Sequence, residues 1–97
     1  MTHLETLVKR LEQMSKTYAP AFDFTAEKWP IGDGAMLIET IELFINGCRE
    51  QIRLLNNAKA AMANEDDLVD WMNQIIDTLE KATGALTELL DEARTLA

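Results

Sequence analysis

Over residues 68–96, nine apolar side chains fall at alternating steps of four and three: Leu68, Met72, Ile75, Leu79, Ala82, Leu86, Leu89, Ala93 and Leu96. That spacing keeps one face of an α-helix apolar for its whole length. A helix over about 65–96 is expected. Asn64 is placed as its N-cap, and Glu65, Asp66 and Asp67 fill the first turn, where negative charge complements the helix dipole. A single long apolar stripe needs another helix to bury it.

The preceding segment supplies one. Ile38, Ile41, Ile45, Cys48, Ile52 and Leu55 keep the same three-four alternation, which predicts a helix over about 35–62 with Asp33 as its cap. The short turn between the two forces them antiparallel, giving a hairpin about 40 Å long at 1.5 Å per residue. A second apolar line, Met36, Leu43, Gly47, Leu54 and Ala61, lies roughly 150° around the same helix at 100° per residue. Helix two is therefore expected to be covered on two sides.

A first helix over 3–18 is read from Leu4, Leu7, Leu11, Met14 and Tyr18, with Val8 widening the stripe. Thr2 and Glu5 have the Thr-x-x-Glu spacing of a capping box, and Ala19-Pro20 stops the helix. Residues 19–34 form a connector with both prolines and with Phe22, Phe24, Trp29 and Ile31. It is too apolar for a flexible linker and is expected to pack. The expected fold is all-α: a small helical bundle of three main helices in one domain, dominated by the antiparallel hairpin.

Composition narrows the functional classes. Apolar residues make up 47% and charged residues 27% of the 97, the balance of a folded chain. The formal charge of −8 is uneven. Residues 1–59 hold eight acids and seven bases (net −1), and residues 60–97 hold nine acids and two bases (net −7). Such a field repels nucleic acid and anionic lipid and favours a basic protein surface. No stretch approaches the length of a membrane span and no basic-then-apolar leader opens the sequence, so no membrane association is expected. The single Cys48 fits a reducing compartment, and a cytoplasmic location is expected.

The residues that could carry chemistry are sparse. His3 is the only histidine, so one chain cannot assemble a His-based metal site or triad, and Cys48 lies on a core stripe. Glu39-Thr-Ile-Glu42 and Asp67-Leu-Val-Asp70 resemble the Glu-x-x-Glu and Glu-x-x-Asp pairs of the all-α MazG-type nucleotide pyrophosphohydrolases. The resemblance implies Mg²⁺-dependent hydrolysis at those carboxylates. It departs from the family at Asp67, and an unbroken helix two would hold the two pairs roughly 25 Å apart. No cofactor, metal or catalytic residue is expected, and a MazG-like activity ranks third among the readings.

The surface carries more. Asp70, Asn73, Asp77, Glu80, Glu88 and Asp91 line the side of helix three away from its apolar stripe. Such a stripe is either a solvated face or a docking surface for a basic groove. Trp71 flanks the core stripe. Burial under helix one or the connector is the favoured reading, and exposure beside Asp70 would suit an interface hot spot. Phe22, Phe24 and Trp29 are likewise a plug at one end of the bundle or an exposed recognition loop.

The leading expectation is a small acidic protein without enzymatic activity that binds and inhibits or neutralises a protein partner with a basic surface. Asp70, Asp77, Glu88 and Asp91 would supply electrostatic docking, and Trp71, Phe22, Phe24 and Trp29 the apolar anchors. In size, acidity and helix content the chain resembles bacterial immunity proteins, antitoxins and phage counter-defence inhibitors. The alternative is a homodimeric structural or assembly component built on the Met36, Leu43, Gly47 and Leu54 stripe.

Overall fold

The computed structural model describes residues 3–18 and 32–95. Three helices follow in order, α1 (His3–Tyr18), α2 (Gly34–Ala61) and α3 (Asp66–Arg94), and no strand occurs among the described residues. The capping-box Thr2, residues 19–31 of the connector and Leu96 lie outside that set.

Local chemistry sets the helix ends. Asp33 is extended (φ −151, ψ 174) and its Oδ1 accepts the Met36 N–H at 2.8 Å, satisfying a free donor at the start of α2. At the other end the Met62 N–H donates to the carbonyls of Ala58 (3.1 Å) and Lys59 (3.2 Å). The turn closes with Glu65 N–H donating to Met62 O at 2.9 Å. The cap of α3 is Glu65, with no side-chain hydrogen bond to the helix, and not Asn64. Asn64 belongs to the turn, so Asp66 and Asp67 are left to stabilise the first turn through the helix dipole alone.

The turn folds α2 and α3 into an antiparallel hairpin. Lys59 Nζ donates to Asn73 Oδ1 at 2.8 Å near the turn, and Arg94 meets Glu42 at 3.5 Å near the open end. The longest dimension of the protein is 51 Å. Helix α1 packs chiefly on α3 and much less on α2, and an Arg10–Glu92 ion pair fastens it there.

The core is gathered at the open end. Helix α1 contributes Leu7 and Leu11; α2 contributes Leu37, Ile41, Phe44, Ile45 and Cys48; α3 contributes Leu79, Ala82, Leu86, Leu89, Leu90 and Ala93. Leu4, Val8, Met14 and Tyr18 of α1 pack partly buried against this cluster. Burial pushes the Cys48 thiol above its ordinary range, partly offset by a hydrogen bond with Thr83. Toward the turn, the described residues of α2 after Cys48 include no buried side chain, and in α3 only Met72 and Ile76 are buried.

Two expectations about the stripes are corrected. Leu68 is 44% exposed and Ile75 half-buried, while Ile76 and Leu90, off the expected line, are buried. A straight helix of 3.6 residues per turn drifts about 20° per heptad against a strict 3.5-residue repeat, so over α3 the buried face slides off the ideal stripe. The second line of α2 is not covered: Met36, Leu43 and Leu54 are exposed. Because α1 sits mainly on α3, burial on α2 widens only as far as Leu37, Thr40 and Phe44.

Candidate functional site

The outer face of α3 follows from the inner one. Once Leu79, Leu86, Leu89 and Ala93 turn toward α2 and α1, the residues half a turn away must face solvent. Asp70, Asp77, Glu80, Glu88 and Asp91 all do so. Asp77 pairs with Lys81 one turn on, at 3.1 Å. Asp70, Glu80, Glu88 and Asp91 make no ion pair among the described residues, so their charge is directed into solvent. This face is a continuous strip of carboxylates on a rigid element, able to order a row of Lys or Arg side chains opposite it.

Trp71 overturns the expectation of burial: it is 57% exposed. It also points elsewhere than the acids. Trp71 and the fully buried Leu89 are 18 residues apart, five full turns, so Trp71 lies in line with the flank of the core face and not with the acidic strip. The 16-residue α1 is only about 24 Å long, against about 42 Å for α2, and leaves Trp71 bare. The structure thus puts Asp70, Asp77, Glu88 and Asp91 on one face and Trp71 on another. Phe22, Phe24 and Trp29 lie outside the described residues.

Sequence periodicity missed the exposed company of Trp71. Leu54 (45%), Met62 and Leu68 are also exposed, and all three lie at the turn end of the hairpin. Leu54 and Leu68 each sit on an apolar line that pattern alone assigns to a buried face. Only the length of α1 against that of α2 and α3 signals that the turn end is left over.

The remaining sequence-level candidates separate. His3 is exposed and Cys48 is buried with no access to solvent. Glu39 and Glu42 lie in the first third of α2 and Asp67 and Asp70 just past the turn, so the unbroken α2 holds the two pairs roughly 30 Å apart within one chain. No group of three or more His, Cys, Asp or Glu among the described residues is placed to hold a metal ion. On the side of the hairpin away from α1, an open groove of about 420 Å³ runs between Glu42, Asn46 and Arg49 of α2 and Thr87 and Arg94 of α3. The Glu42–Arg94 pair spans it, with Ile45 and Leu90 also in its lining. Among the described residues, no helix is long and apolar enough to cross a membrane. Comparisons with protein-family models, with curated proteins and with solved structures return no match to this chain.

Proposed function

We propose that this protein is a small acidic protein-binding module, without enzymatic activity, that occupies a basic surface on a protein partner and so inhibits or neutralises it. The observation that carries the reading is the outer face of α3, where Asp70, Asp77, Glu80, Glu88 and Asp91 are all exposed on the side opposite the core. A fixed row of like charge raises the encounter rate with a basic surface and sets the register of the complex. The size and acidity of the chain keep this reading alongside the immunity, antitoxin and phage counter-defence classes, and a cytoplasmic location is part of the proposal.

The test is pull-down from cytosol with wild type and with Asp70→Lys/Asp77→Lys. A partner recovered by wild type at low salt is expected to be lost with the variant and to weaken as salt rises. Equal recovery by both forms removes the acidic face from the reading.

A second reading rests on the exposed second line of α2. Met36, Leu43 and Leu54 present apolar surface in a row, with Leu43 at 48% exposure, and a second copy of the chain could cover it. Sedimentation at micromolar concentration then shows a dimer that Leu43→Glu converts to monomer. A monomeric wild type, or a dimer indifferent to that change, eliminates it.

A further inference from the structure

Among the described residues, α1 adds a third layer to the core at the open end of the hairpin, and no helix does so at the turn end. On α2, Leu54, Ala58 and Ala61 lie at steps of four and three, one face of the helix, with Met62 at its end. On α3, Leu68 and Trp71 are three residues apart on one face, and Asp67 lies one turn before Trp71 on that same face. Among the described residues, Leu54, Met62, Leu68 and Trp71 are four of the six exposed large apolar side chains, and all four lie in the turn-end half of the hairpin. Exposed apolar side chains gathered at one end of a molecule are the kind of surface that marks recognition.

Charge decides what fits there. Residues 54–74 contain Glu65, Asp66, Asp67 and Asp70 against Lys59 alone, a net of −3, and Lys59 is engaged with Asn73. A second copy seated on this end would bring the same four carboxylates to the same junction, which like-charge repulsion opposes. A helix with an apolar stripe and basic flanks satisfies both demands at once. Its apolar residues would cover Leu54, Leu68 and Trp71, and its Lys or Arg would meet Asp67 beside Trp71.

Resting on the protein-binding reading above, we propose that the turn end of the hairpin, centred on Trp71, is the seat of a basic amphipathic helix of the partner, which completes there the three-helix layer that α1 completes at the other end.

The probe is a synthetic Lys/Leu peptide of about 18 residues with Leu at i, i+3, i+4 and i+7, titrated into the full chain carrying Trp29→Phe so that emission reports Trp71 alone. The expected result is saturable binding with a blue shift of Trp71 emission, weakened at least tenfold by Leu54→Ser/Leu68→Ser. Those positions are exposed, and circular dichroism checks that the variant keeps its helix content. A scrambled peptide of the same charge is expected to bind at least tenfold more weakly, and a Glu/Leu counterpart not at all. Equal binding of the scrambled peptide, no emission shift, or indifference to Leu54→Ser/Leu68→Ser overturns the proposal. So does a dimer of the free chain that the same double substitution dissociates. Glu80→Lys/Glu88→Lys separates the two claims. If only that variant loses the peptide, the turn-end seat fails while the acidic-face reading stands; if only the turn-end variant loses it, the seat stands however the pull-down resolves.

Discussion

Leu86→Ala is expected to remove about 3–4 kcal/mol of folding stability, because Leu86 has no solvent exposure and sits in the cluster shared by all three helices. The loss combines the transfer free energy of the deleted methyl groups with the cavity they leave, and close packing at the open end limits how far neighbours can collapse into it. A domain of this length has about 5–15 kcal/mol in total, so the variant is left with a fraction of its stability. In urea its midpoint should fall by about 2–4 M at a slope of about 1–1.5 kcal/mol/M. The same substitution at Leu54, 45% exposed near the turn, should cost less than about 1 kcal/mol. Urea titrations of both variants followed by circular dichroism check the pair. Similar losses at the two positions would contradict a core confined to the open end.

Amide hydrogen exchange should map the same asymmetry without any substitution. Residues 41–48 of α2 and 79–90 of α3 hold most of the buried cluster, whereas within 52–60 and 68–74 only Met72 is buried among the described residues. Segments with few buried contacts open without global unfolding. A deficit of about 2–3 kcal/mol in opening free energy translates into exchange roughly 30- to 150-fold faster at the turn end, away from the frayed termini. Exchange resolved by residue would show this as a step along both helices near Leu55 and Ile75. Uniform protection would contradict it.

The hairpin is legible because two independent three-four alternations lie on either side of a short acidic turn. The expected spans, 35–62 and 65–96, compare with Gly34–Ala61 and Asp66–Arg94 among the described residues. Asp33 is legible as a cap because its side chain needs only its own neighbour at Met36. Asn64 fails as a cap because the geometry of the turn decides which residue stands one step before the first helical one. Periodicity identifies residues that can be buried, and tertiary contact decides which of them are. Leu43 and Leu68 have the right spacing and lack a helix above them, and Ile76 and Leu90 lie off the repeat yet are covered. The acidic face of α3 was legible for the opposite reason: carboxylates without apolar neighbours on their face have nowhere to go but solvent. Trp71 has the spacing of a buried residue and is exposed, because which stretch of the hairpin α1 covers is settled by tertiary packing that no residue near Trp71 encodes.

The preference of α1 for α3 over α2 has a consequence for biogenesis. Helix α1 is synthesised before α2 and α3 and has α3 as its main partner, and the Arg10–Glu92 pair joins positions 82 residues apart. At about 5–20 residues per second, roughly 4–15 s pass between completion of α1 and completion of α3. During that interval Leu7 and Leu11 have no finished surface to enter, while α2 and α3 can pair as soon as both exist. Docking of α1 is then the closing step of folding, and the nascent chain carries its amphipathic first helix unsatisfied until synthesis of α3 is done.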